Sequence, residues 1–227
     1  MGRCVLIAGL CCGFLATLGC GGSSSSTTQQ IRVVMASPNI PPTDITIDGA
    51  EVATSLGFMN FMPYVPVKTG QHHVEGLAVS NSAAIFQETI AVTESTNLTV
   101  YVTGPSGKAQ TLVLTDGGGT STNVVTGDGN IRVINASSSM GPADVYIVNA
   151  GGGIGGATPL ATKLPSNQAT GYQKTAIGNY EVFMTAPGTS NVFLDTGPLA
   201  LSQSQYQTVV AVDAADGGFN YIVLTDQ

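Results

Sequence analysis

From residue 31 onward, apolar and polar positions change places with the short period of a β-strand. Asp44-Ile45-Thr46-Ile47-Asp48 alternates strictly and then meets Gly49, a turn signal. Leu98, Val100 and Val102 fall on one face of a strand, with Thr99 and Tyr101 on the other. Ile31 to Ala36 and Gln110 to Thr115 are short apolar runs of the kind found in buried strands. Pro, Gly, Asn and Ser break the pattern about every 8 to 12 residues, as in β-sandwiches. No segment after residue 30 carries a sustained 3.6-residue period with helix caps. The pattern predicts an all-β chain.

The strand pattern occurs twice. Ile31-Arg32-Val33-Val34-Met35-Ala36-Ser37 returns as Ile131-Arg132-Val133-Ile134-Asn135-Ala136-Ser137. Pro42, Asp44 and Ile47 return as Pro142, Asp144 and Ile147; Gly70 and Val74 as Gly178 and Val182; Thr99-Val100 as Thr208-Val209. Leu112-Val113-Leu114-Thr115-Asp116 closes the first copy and Ile222-Val223-Leu224-Thr225-Asp226 the second. The spacing between matched positions widens along the chain, so the second copy holds insertions. The copies are expected at 31–116 and 131–227, with a Gly/Thr/Ser-rich linker at 117–130. Each should form a sandwich of about seven strands, Ig-like or transthyretin-like.

The stretch RVVMASPNIPPTDITIDG, residues 32–49, closely resembles the opening motif of the domain of unknown function 4397. The second copy, RVINASSSMGPADVYIVN, has Ser138 where the first has Pro38, and lacks the Asp-Gly turn. The resemblance runs from residue 31 to 226 and implies tandem β-sandwich modules outside the cytoplasm. It implies no activity.

The N-terminus has a different character. Arg3 precedes an apolar run from Val5 to Leu18, short for a membrane span and suited to an export signal at 1–19. All four cysteines, Cys4, Cys11, Cys12 and Cys20, lie within it or at its end. Thr17-Leu18-Gly19-Cys20 resembles a bacterial lipobox, with Thr17 where Leu is usual, so Cys20 is the expected site of lipidation. Gly21-Gly22-Ser23-Ser24-Ser25-Ser26-Thr27-Thr28 reads as a flexible tether, which makes 20–30 the lipidated Cys and its spacer. The body has no cysteine and no disulfide framework.

Composition narrows the chemistry. Charged residues are 9% of the 227, while hydrophobic residues hold at 43%, enough for a core. The net charge is −7 and the few basic residues are scattered, which excludes a nucleic-acid footprint. Gly151-Gly152-Gly153-Ile154-Gly155-Gly156 contains G-x-G-x-x-G, but Pro159 and Pro165 follow where a dinucleotide site needs a helix; it reads as an inserted loop. His72 and His73 point to opposite faces of a strand, and with Glu75 they fall short of a metal ligand set. Asp213 and Asp216-Gly217-Gly218 read as a turn rather than a calcium loop. No G-x-S-x-G elbow is present. No cofactor and no catalytic residue is expected.

Two groups remain. Arg32 with Asp44, and Arg132 with Asp144, recur as pairs and are expected to pin the first strand of each copy to the second; the alternative is an exposed ligand-binding pair in each module. Phe58, Phe61 and Tyr64, with Met62, crowd a stretch that the second copy does not match, and form a candidate binding patch. The expected role is that of a cell-envelope lipoprotein, held at a bacterial membrane through Cys20, with a non-enzymatic structural, adhesion or partner-binding task. The alternative is a glycan- or small-ligand-binding envelope module.

Overall fold

A computed structural model describes residues 29–105, 107–117 and 127–226. The expected signal, Cys20 and the tether as far as residue 28 lie outside the described residues, as does most of the linker. Within them, every regular element is a strand. The first repeat holds β1 (Gln29–Met35), β2 (Thr43–Ile47), β3 (Ala50–Leu56), β4 (Val65–Val67), β5 (Gly70–Ala78), β6 (Ala84–Val92), β7 (Asn97–Thr103) and β8 (Gln110–Asp116). The second holds β9 (Asp128–Asn135), β10 (Ala143–Asn149), β11 (Ala161–Leu164), β12 (Gln168–Ala169), β13 (Gln173–Ala176), β14 (Gly178–Thr185), β15 (Val192–Asp195), β16 (Leu199–Leu201), β17 (Tyr206–Asp213) and β18 (Phe219–Asp226). The excess over about seven per sandwich is made of short pieces such as β4, β12 and β16. β1 and β9 each begin two or three residues before the expected boundary.

Each repeat is a two-sheet sandwich. Repeat 1 pairs its strands in the orders β4-β1-β7-β8 and β3-β2-β5-β6. Repeat 2 has β9-β17-β18 with β12 and β13 along the free side of β9, and β11-β10-β14-β15 with β16 also on β14. In both, the first strand lies parallel to the next-to-last, with Arg32 opposite Thr99 and Arg132 opposite Thr208.

The sandwiches stand back to back. On β1, Ile31, Val33 and Met35 fill repeat 1's own core, while the alternate residue Val34, with Ala36 just past the strand, enters a third apolar cluster. That cluster also takes Tyr101 from β7, Ile134 from β9 and Ala136 just after it, Val210 from β17, and Leu224 from β18. The sheets containing β1 and β9 are therefore covered on both faces, and the molecule is a stack of four sheets with three apolar layers. This accounts for two sequence textures. β7 is buried at six of its seven positions, whereas β2, in an outer sheet, alternates buried and half-buried.

Candidate functional site

Period-two alternation on the inner strands delivers polar side chains to the seam as well as apolar ones. At one end of it, Arg32, Arg132, Asp116 and Asp226 meet, with side chains at most 4% exposed. Each arginine reaches across to the other repeat. Arg32 pairs with Asp226 through Nη2 and Oδ1 and donates from Nη1 to the Thr225 carbonyl at 3.1 Å. Arg132 donates from Nη2 to Asp116 Oδ1 at 2.5 Å and from Nη1 to the Thr115 carbonyl at 2.9 Å. The pattern is reciprocal, as the local two-fold relation between the copies requires.

Each group is also held from within its own repeat. The Nε of Arg32 donates to Thr99 Oγ1 at 3.0 Å, and that hydroxyl donates to Asp116 Oδ2 at 2.6 Å. Arg132 and Thr208 repeat the first contact at 2.8 Å, and Thr208 donates to Asp226. Tyr64 donates its hydroxyl to Asp116 at 2.6 Å while its ring lies 4.4 Å from the Arg32 guanidinium. Tyr172 does the same for Asp226 at 2.6 Å and for Arg132 at 4.6 Å. Four charges removed from water thus have nearly all their donors and acceptors occupied, which is the condition for a buried ion network to hold. Burial and the nearby Asp226 carboxylate push Asp116 up, against the pull of Arg132. Burial likewise raises the Tyr101 hydroxyl to about 12, although Arg132 donates to it at 3.1 Å.

The expected Arg32–Asp44 and Arg132–Asp144 pairs are not what the chain forms. β1 and β2 belong to different sheets, and the arginines turn away from β2 into the seam. Asp44 accepts the Ser55 N–H at 2.8 Å, and Asp144 accepts the Lys163 N–H at 2.8 Å and the Gly188 N–H at 2.7 Å. Ser55 and Lys163 have φ of 52° and 51° and sit where β3 and β11 bulge against β2 and β10. Each aspartate therefore fixes a β-bulge, where a left-handed backbone needs an extra acceptor.

The aromatic patch also divides. Tyr64 belongs to the clasp, and its hydroxyl and ring are both engaged there. Met62 is 2% exposed in the core of repeat 1, Phe58 packs at the rim of the seam, and Phe61 is left 46% exposed. These residues make no joint surface. Tyr64 and Tyr172 each precede the matched glycines, Gly70 and Gly178, by the same interval. That interval was the signal in the sequence for the clasp's aromatic members.

The other singled-out residues have local roles. His72 bridges Asp48 Oδ2 at 2.7 Å and the Lys68 carbonyl at 2.8 Å, while the His73 N–H donates to Asp48 Oδ1 at 2.9 Å. Glu75 accepts from Gln87 at 2.5 Å. Both partners of the His72 ring are acceptors, an arrangement that favours the doubly protonated form. Partial burial works against that charge, but Asp48 and Lys68 outweigh it and raise His72. Asp213 gathers the loop Ser137-Ser138-Ser139, accepting the Ser138 N–H at 2.9 Å and its hydroxyl at 2.7 Å. Burial would raise Asp213, and these donors bring it below its ordinary range.

The glycine-rich insertion after β10 forms a loop, as expected, and clefts lie on either side of it. One, of about 690 Å³, is lined by Ile147, Asn149, Pro159, Gln173 and Tyr180 among others. The other, of about 580 Å³, lies by Tyr146, Ile154 and Gly188.

Comparison with known proteins gives the following. Among solved structures, the chain is similar to the Bacillus anthracis TIE protein, at 13% identity and a TM-score of 0.25, covering 81% of this chain and 33% of that one. It thus spans about a third of the TIE chain's length. It is also similar to CBMbc, a family CBM26 module of Eubacterium rectale Amy13K solved with maltoheptaose, at 9% identity and a TM-score of 0.27, covering 86% and 95% of the two chains. No curated protein matches it. The family model described as "Domain of unknown function (DUF4397)" matches residues 29–146 and again 129–227. With that model matched in both halves, and Arg, Tyr, Thr and Asp recurring in both halves of the clasp, the chain belongs to the DUF4397 family as a tandem pair.

Proposed function

We propose that this protein is a lipid-anchored component of the bacterial cell envelope whose two fused sandwiches serve as one rigid, non-enzymatic, partner-binding or structural block. The observation that carries the reading is the clasp. At the clasp, the Arg and Asp residues that the repeats share are turned inward and spent on joining the repeats, and the apolar seam beside them couples the two cores. A binding block benefits from such stiffness, because less freedom is lost when it meets a partner.

The anchor is Cys20. β1 starts at Gln29, so the eight intervening residues span at most about 30 Å. Gln29, Asp116, Asp128 and Asp226 all lie at the clasp end, since β1 and β9 start there and β8 and β18 finish there. The clasp end faces the bilayer in this reading, and the loops at the far end face outward.

Labelled palmitate tests the anchor. Wild-type protein should carry the label and Cys20→Ala should lose it; equal labelling of both overturns the assignment. Cross-linking of the anchored protein in intact cells should capture an envelope protein. A glycan-binding module would instead show a raised melting temperature with a particular oligosaccharide and no protein partner.

A further inference from the structure

The outer sheets of the two repeats differ at one edge. In repeat 1, β2 turns through Asp48-Gly49 and β3 covers it to its end, with Glu51 opposite Thr46 and Ala50 opposite Ile47. In repeat 2 the chain leaves β10 at Asn149, passes through the insertion, and returns as β11, which pairs only with Ala143 and Val145. The final contact on this side is the Leu160 N–H donating to the Val145 carbonyl at 2.7 Å. On its other side β10 is paired with β14 as far as Asn149.

Backbone groups of successive residues point to alternate sides of a strand. Val145 offers its carbonyl to the β11 side, so Ile147, two residues on, aims its N–H and C=O the same way. Among the described residues no strand meets Ile147 there. The 690 Å³ cleft borders this position, lined by Ile147 and Asn149, by Thr158, Pro159 and Leu160 of the returning chain, and by Gln173 and Thr175 of β13. Lys174, the charge in this lining, is paired with Asp128 at 3.0 Å. The cleft therefore offers backbone, amide and hydroxyl groups with no unbalanced charge. An uncovered edge without its own charge is a template for another strand, which proteins ordinarily block.

We infer that the open edge of β10 accepts an extended peptide strand of a partner protein, in the slot that β3 fills in repeat 1. Repeat 1 shows the class of occupant: small and β-branched residues such as Ala50, Val52 and Ala53, free of proline, giving main-chain bonds to the edge. The inference rests on the partner-binding reading above and gives it a site.

The probe is a fluorescent peptide with the sequence of residues 49–56, GAEVATSL, added to the mature protein. Saturable binding is expected by anisotropy, together with at least about tenfold slower amide exchange at Ile147. The same peptide N-methylated at alternate residues should show neither effect, since it lacks the donors of strand addition. Equal binding of the methylated peptide overturns the inference. So does absence of binding at millimolar peptide, or an Ile147 amide already protected in the free monomer. Ile147→Pro removes the donor facing the cleft and leaves those facing β14, a placement that edge strands tolerate. A dimer of the wild type that this variant dissolves would assign the edge to a second copy instead and overturn the inference. In cells, a cross-linked partner lost from a folded Ile147→Pro variant supports the site. A partner captured equally by both forms refutes the edge and leaves the partner-binding reading standing.

Discussion

The inner and outer sheets of this protein meet opposite demands with the same strand geometry. Strands β1, β7, β9 and β17 are buried on both faces, and their sequences run apolar with a buried Arg or Thr set among the aliphatics. The outer strands β2, β5 and β6 bury one face and follow a cleaner alternation. At two polar positions that the repeats share, the residue has the same internal duty in both: Arg32 and Arg132 in the seam, Asp44 and Asp144 at a bulge. Where they differ, the difference is a compensated packing change or a surface that one repeat exposes and the other covers. Gly76 faces Phe86 across β5 and β6, while the corresponding pair in repeat 2 is Met184 and Leu194. One large and one absent side chain fill the layer that two medium ones fill in the other copy, a volume-conserving exchange.

The inner comparison is broken most severely at the clasp. Asp116→Ala leaves Arg132 buried without its carboxylate and should cost about 3–5 kcal/mol in chemical denaturation. Replacing all four clasp charges together by Met and Leu should restore or exceed wild-type stability, because desolvation no longer has to be offset. If the single and quadruple variants lose stability alike, the clasp is not an isolated ion network.

The packing exchange comes next. A Cβ on Gly76 would stand 2.2 Å from the Phe86 ring and 2.9 Å from Thr43 Cγ2. Gly76→Ala should therefore cost about 1–3 kcal/mol by overpacking. Adding Phe86→Leu, which imitates repeat 2, should recover most of that in a double-mutant cycle.

At the bulges, Asp144 accepts two N–H groups while 4% exposed, whereas Asp44 accepts one in a more open site. Asp144→Ala should cost about 2 kcal/mol and Asp44→Ala about 1 kcal/mol or less, measured as shifts in denaturation midpoint. The reverse order would mean that the bulges are not held by these carboxylates.

The smallest effect is at the exposed turn of repeat 1. The His73 N–H and the His72 ring lower Asp48, so its support is present above the unfolded carboxylate value and fades as pH falls through the folded one. His72 is raised, so its support is full below the unfolded imidazole value and fades as pH rises through the folded one. The pair therefore helps most between those limits. Asp48→Asn should lower the His72 midpoint followed by NMR, with little change in melting temperature.

Much of this is legible in the sequence. Ile31 to Ala36 and Asp44 to Asp48 announced strands through their periods, and the matched segments announced two copies. Three of the four residue types in the clasp stood in those matches. Their partners were not legible. The nearness of Arg32 and Asp44 in the chain suggested a local pair, but the two strands enter different sheets. The aromatic cluster suggested one surface, whereas strand and loop directions send Met62 inward, Phe61 outward and Tyr64 into the seam.

By itself, the sequence determined the strand class, the duplication and the residues each copy must keep, because period-two burial and turn chemistry act over a few neighbouring residues. Only the tertiary structure decided that Arg32 answers to Asp226, that the two sandwiches share a seam, and that β10 keeps an open edge. Those outcomes depend on which sheet faces meet, and a buried charge takes whatever partner lies in reach across that contact, at any distance along the chain.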